Sequence, residues 1–213
     1  MAGRSYVELA VQNTSNPPAK YLHGPTSKLI SSHLHIRVGG SFTYPPFPPR
    51  EFKRVVFVAG GVGANPLMSM LSHIKSLKDD KQGNQYGRDV EIRFLYATKA
   101  QSFWREILFF ERIRTTMADL GMSENFKLFL TPQKPAVATG TDETSGSDDP
   151  EGVQVSRRRV THDDLLQALG PASERNEVLC YVCGVPGMTD EYVKAAREAE
   201  GMVKENVLCE TWW

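Results

Sequence analysis

An apolar run, Val55-Val56-Phe57-Val58-Ala59, gives way to Gly60-Gly61-Val62-Gly63-Ala64-Asn65-Pro66-Leu67, where side chains are missing at the points a main chain needs for close approach to a ligand. A strand that ends in such a turn and opens a helix offers unpaired N–H groups and the positive end of the helix dipole, the chemistry that holds a phosphate or diphosphate. Alone the motif is weak, because tight strand-to-helix turns use glycine for steric reasons too. A second run, Cys183-Gly184-Val185-Pro186-Gly187-Met188, repeats the arrangement after the apolar Val178 to Val182, and Pro186 suits a first helical turn that has no internal partner for its N–H. Two such turns at the carboxyl edge of one sheet would face a single crevice. Cys183 reads either as part of that crevice or as a core thiol that ends a strand.

The elements that must position these turns follow from periodicity. From Arg54 onward, short apolar segments alternate with longer ones of helical period, which predicts a parallel sheet covered by crossover helices. Strands are expected at Arg54 to Ala59, Val90 to Ala97, Phe126 to Thr131, Val178 to Cys183 and Val207 to Cys209, and helices at Pro66 to Lys78, Ser102 to Leu120, Thr161 to Ala168 and Pro186 to Glu200. The expected fold class is α/β, a five-stranded doubly wound parallel sheet spanning 51–213. Residues 134–152 are small, polar and acidic, and predict a disordered insertion reaching to about 156. Arg157-Arg158-Arg159 reads as a charge run balancing that insertion, with phosphate binding as its other use. Residues 1–50 differ: Val7, Leu9 and Val11, then Leu34, Ile36 and Val38, alternate with polar neighbours as half-buried strands do, and the proline-rich Tyr44 to Pro49 reads as a linker.

With 25 basic and 25 acidic side chains and a pI of about 7.0, no global field draws nucleic acid or an anionic membrane, and no apolar run is long enough for a membrane span. Cys180, Cys183 and Cys209 do not have disulfide-framework spacing, and a reducing intracellular compartment is expected. Cys180-Tyr181-Val182-Cys183 lies in a strand-like run with no second pair, so no metal site is expected.

The order and separation of Gly60-Gly61-Val62-Gly63 with Pro66, and of Cys183-Gly184 with Pro186 and Met188, resemble the NAD(P)H-binding modules of the ferredoxin-NADP reductase superfamily over about residues 54–213. Glu8 to Gln12, Asn16-Pro17-Pro18-Ala19 and Arg37 to Phe42 resemble more closely the eukaryotic oxidoreductase NAD-binding domain-containing proteins. The resemblance implies that Gly60, Gly61, Val62, Gly63 and Pro66 line a pyrophosphate, that Cys183, Gly184, Pro186 and Met188 lie near a nicotinamide, and that residues 1–50 are a truncated remnant of a flavin-binding antiparallel β-barrel. It also implies that the terminal Trp213 stacks over a flavin, although a terminal Trp equally anchors a last strand. Thr98 and Lys99 end the second strand where the adenosine ribose is read. They lean toward NADP, and both NAD and NADP stay open. A mitochondrial location is implied by the resemblance alone.

The superfamily's FAD contacts are not intact. Arg4-Ser5-Tyr6 runs directly into the Glu8 to Val11 segment, and Ala19 stands where a serine is expected. The resemblance nonetheless implies hydride transfer from NAD(P)H to a flavin, held by weak local contacts or by a missing N-terminal segment, and on to an electron acceptor that the sequence does not specify. Its rival is a non-catalytic nucleotide-binding module that has lost FAD.

Overall fold

Every residue of Arg54–Gly60, strand β1, is buried, as befits a strand in the middle of a sheet covered on both faces. The computed structural model describes residues 8–35, 39–80, 89–132, 149–150 and 152–211. The other strands are β2 (Glu91–Lys99), β3 (Phe126–Thr131), β4 (Gln154–Ser156), β5 (Val178–Gly184) and β6 (Val207–Thr211), in the order β4-β3-β2-β1-β5-β6 with every pair parallel. The chain builds outward from β1 to β4, then returns to the other side of β1 for β5 and β6. The topological switch point of this sheet thus lies between β1 and β5.

Alternate residues of β1 serve two cores. Val55, Phe57 and Ala59 face the layer built by α3 (Ala64–Asp79) and α4 (Phe110–Asp119), whereas Val56 and Val58 face α5 (His162–Leu169) and α6 (Pro186–Glu198). Each helix presents a stripe at helical spacing: Leu67, Leu71 and Ile74 on α3, Phe110, Ile113 and Met117 on α4, Leu165 and Leu169 on α5, and Tyr192, Val193 and Ala196 on α6. A fully buried Leu or Phe of this kind contributes about 1.5–3 kcal/mol of transfer free energy. Thr161 caps α5, its side chain accepting from the Asp164 N–H while the Asp164 carboxylate accepts the Thr161 N–H at 2.8 Å.

Several expectations need correction. The sheet has six strands, not five, because Gln154–Ser156 pairs with β3 through Leu128↔Val155, and Val153 and Val155 pack against the core. The insertion therefore stops short of 156. The expectation for residues 133–148 lies outside the described residues. The single helix expected over Ser102–Leu120 is split into a 3₁₀ turn at Trp104–Glu106 and α4, with Phe109 between them at φ 58. Trp104, Ile107 and Phe110 all reach one core, with the Trp104 and Phe110 rings 5.7 Å apart, and that packing overrides helical continuity. The start of the proline-rich stretch is also packed, with Tyr44 7% exposed and the Tyr181 hydroxyl donating to the Thr43 carbonyl at 2.6 Å, whereas Phe47 is 93% exposed. The chain accordingly divides between Ser41 and Phe42.

The first unit, Met1–Ser41, carries two short helices, α1 (Pro17–Leu22) and α2 (Thr26–Leu29). Leu9, Val11 and Leu34 are exposed and lie in no strand, while Val7 and 36–38 lie outside the described residues. An alternating segment forms a strand only when another strand supplies its ladder, and the described residues of this unit offer none.

Candidate functional site

Parallel register brings the predicted turns to one edge. Gly60, the last residue of β1, lies opposite Ala97 of β2, and Ala59 lies opposite Cys183 of β5, so β1, β2 and β5 end together. A 3₁₀ turn, Gly61–Gly63, leads directly into α3, and Val185 leads directly into α6 with Pro186 in its first turn. Both helix N-termini therefore open beside the switch point. Neither has an acidic residue in its first turn, whereas α4 carries Glu111 there and α5 carries Asp163 and Asp164. An anion at this edge meets the positive ends of two dipoles without a fixed carboxylate in competition.

The glycines divide into two kinds. A Cβ on Gly63 would lie 2.1 Å from the Cys183 carbonyl oxygen and 2.7 Å from the Gly184 nitrogen, so this glycine lets the two turns touch. On Gly60 it would overlap the Met188 sulfur at 2.4 Å and approach the Gly184 Cα at 3.2 Å, and on Gly184 it would meet the Gly60 Cα at 3.1 Å. These three glycines serve internal contact. Gly61 differs: its φ is +53, and nothing lies within 4 Å of where its Cβ would be. Here left-handed bare backbone faces open space, as a diphosphate cradle requires; Gly187, on the opposite lip, is likewise open. Pyridine-nucleotide binding fits this geometry.

Of the other predicted residues, Val62 and Pro66 are half-buried on the same turn and first helical turn, and Pro186 is exposed on the opposite lip. Met188 spans the floor, its sulfur over Gly60 and Gly184. Cys183 is fully buried in the α3–α4 core, and Cys180 in the α5–α6 core. The Cys-x-x-Cys pair therefore points to opposite faces of the sheet, which rules it out as a two-thiol centre. Burial pushes the Cys180 thiol up to about 12. Thr98 and Lys99 end β2 beside the glycine turn, Thr98 half-buried and held through its carbonyl by the Thr131 hydroxyl at 3.3 Å, Lys99 exposed. Trp213 lies outside the described residues.

Three residues at this edge were not singled out from the sequence. Tyr96, fully buried on β2, donates its hydroxyl to the Gly61 carbonyl at 3.3 Å. Thr189, in the first turns of α6, has a buried hydroxyl with no hydrogen-bond partner among the described residues. Glu210 of β6 lies opposite Cys183, and burial raises its carboxyl above the usual range. The only legible signal was the phenol tip of Tyr96 within an apolar run; Thr189, beside Asp190 and Glu191, and Glu210, beside Thr211, carried none.

The arginine run is partly spoken for. Arg158 makes a two-nitrogen pair with Asp164 and stacks over Phe129 at 5.3 Å, and Arg157 pairs with Asp149 at 3.0 Å. Arg54, at the opposite edge of the sheet, is 8% exposed and donates to Glu91 at 2.7 Å and to the Leu169 carbonyl at 2.8 Å. Among the described residues no cluster of His, Cys, Asp and Glu could hold a metal, and no helix is long and apolar enough to cross a membrane.

The comparisons with known proteins agree with this architecture. Oxidoreductase NAD-binding domain-containing protein 1 of Bos taurus is 29% identical over 208 residues, which is 97% of this chain and 60% of that protein; its Pongo abelii counterpart is 30% identical with the same coverage. The chain thus spans about 60% of the length of these curated relatives. NADH-cytochrome b5 reductase 2 of Neurospora crassa is 21% identical over 88% of the chain and 45% of that protein. The crystal structure of the cytochrome b5 reductase domain of Ulva prolifera nitrate reductase shares the fold, with a TM-score of 0.53 at 17% identity, covering 88% of this chain and 66% of that one. The family model described as the ferric reductase NAD binding domain matches residues 52–197, which take in both turns and all but the last strand. The chain therefore belongs to the ferric reductase NAD-binding domain family.

Proposed function

We propose that the groove between the two turns binds the pyrophosphate of NADH or NADPH and presents the nicotinamide to a flavin, which takes up its hydride. The observation that carries this reading is Gly61, a left-handed glycine with open space beyond its Cα, between two acid-free helix N-termini. In this reading Gly60, Gly61, Val62, Gly63 and Pro66 form the pyrophosphate side. Gly184, Pro186 and Met188 form the nicotinamide side, with Cys183 behind them. Thr98 and Lys99 meet the adenosine ribose, and Trp213 stacks on the flavin.

A pyridine nucleotide supplies a hydride, and a flavin converts that electron pair into single electrons for an acceptor. The Neurospora crassa relative, named an NADH-cytochrome b5 reductase, supports NADH, whereas Lys99 at the end of β2 would suit a 2′-phosphate. The rival reading, a nucleotide-binding module without catalysis, is favoured by Ala19. This residue is buried in α1, where the reductases present a hydroxyl to FAD.

Titration of the purified chain with NADH and NADPH, with and without added FAD, tests both. Saturable binding of either dinucleotide together with bleaching of a bound flavin band is the expected result. Saturable binding with no flavin retained selects the rival, and no saturation with either dinucleotide refutes both.

A further inference from the structure

We infer that Tyr96 is a positioning residue for the nucleotide, holding the Gly61–Val62 peptide so that the Val62 N–H faces the groove. The inference rests on the reading of the glycine turn as the pyrophosphate site.

Tyr96 lies fully buried in the same core as Phe57, Phe94 and Phe126, where a phenylalanine would fill the space equally well. Placing a hydroxyl there costs stability unless it is hydrogen-bonded. The partner it finds is the Gly61 carbonyl at 3.3 Å, in a turn whose outer side faces open space. The Ala64 N–H donates to the same oxygen, so two donors hold that carbonyl.

In a planar trans peptide the C=O and the following N–H point in opposite directions. Fixing the Gly61 carbonyl toward Tyr96 and the start of α3 therefore turns the Val62 N–H away from the core. Gly61 has no side chain to resist a flip of this peptide, and nothing packs on its outer side. A flipped peptide would present a carbonyl to the ligand and repel a diphosphate.

One further feature fits: burial raises Tyr96 well above the usual phenol range, keeping its proton available for donation.

The test compares the full chain with Tyr96→Phe, titrated with ADP-ribose, which carries the diphosphate, and with adenosine, which carries no phosphate. Loss of one neutral hydrogen bond should weaken ADP-ribose by about 3- to 10-fold. Adenosine binding should be unaltered, and the thermal midpoint should fall by no more than about 2–4 °C. Equal ADP-ribose affinity in the two proteins overturns the inference, as does a parallel loss of adenosine, which would mark a general packing defect. A second measurement needs no variant: on adding ADP-ribose to the unaltered chain, the Val62 amide resonance should shift and gain protection from exchange. An unmoved Val62 resonance alongside saturable binding overturns the inference alone. Failure of the unaltered chain to bind ADP-ribose overturns the pyrophosphate reading, and this inference with it.

Discussion

Gly61 and Gly63 stand two residues apart in one turn, yet the structure demands opposite outcomes from the same substitution. Gly63 has φ −60 and ψ −12, a conformation any residue adopts, so Gly63→Ala should gain about 0.4–1 kcal/mol through the unfolded chain. Against that, the new methyl would lie 2.1 Å from the Cys183 oxygen, 2.4 Å from its carbonyl carbon and 2.7 Å from the Gly184 nitrogen. All three are backbone atoms in or beside β5, with no rotamer to retreat into. Overpacking of this kind costs about 3 kcal/mol or more, leaving a net loss of roughly 2–3 kcal/mol and a fall in thermal midpoint of roughly 4–12 °C. Gly61→Ala meets no atom but must hold a left-handed conformation, at about 1–2 kcal/mol. It should remain folded and lose most of its dinucleotide affinity, because its methyl occupies the groove. Thermal denaturation and dinucleotide titration on both variants decide the matter. A Gly63→Ala protein as stable as the unaltered chain, or a Gly61→Ala protein with undiminished affinity, would refute the division of the glycines into contact and cradle.

Two further predictions concern the scaffold. The Asp164 carboxyl is held well below the usual carboxylate range, chiefly by its hydrogen bonds from Arg158 and with help from Thr161. Its folded-state pKa is depressed, so its stabilisation is present above about pH 4 and is lost as pH falls below that; Asp164→Asn should cost about 1–2 kcal/mol at neutral pH through the lost cap and flatten the acid limb of the stability profile. Arg54→Met should cost about 2 kcal/mol, less than a fully buried pair because Glu91 and Glu174 are partly exposed and Glu91 keeps Arg93; dinucleotide affinity of the folded fraction should not change, since Arg54 starts β1 at the edge opposite the turns, and a change would contradict that placement.

Much of the second unit was legible because its signals are local. The five apolar strands and the glycine turns stand out from their neighbours in composition, and Thr161 with Asp164 spells a cap. What escaped notice depends on distant partners. Gln154–Ser156 becomes a strand only because β3 offers it a free ladder, and its own three residues carry no strand signal. Phe109 adopts a left-handed φ because the rings on either side of it are drawn into one core, which no local propensity announces. The alternation at Leu9 and Val11 misled in the other direction, a pattern without a ladder. At the site itself, Tyr96 looked like one more apolar strand residue, because its reach to Gly61 spans 35 positions of chain.

The near-touching backbones of Gly60 and Gly184 also bear on how the groove can respond to a ligand. The two halves of the sheet, one built outward from β1 and the other from β5, are joined at the base of the cleft by the β1–β5 ladder, which runs up to Ala59↔Cys183, so neither can swing away from the other there. Compliance is left to the tips, Gly61 on one side and the exposed Val185 to Gly187 segment on the other. A ligand held as proposed would thus rest on a fixed floor between two exposed lips.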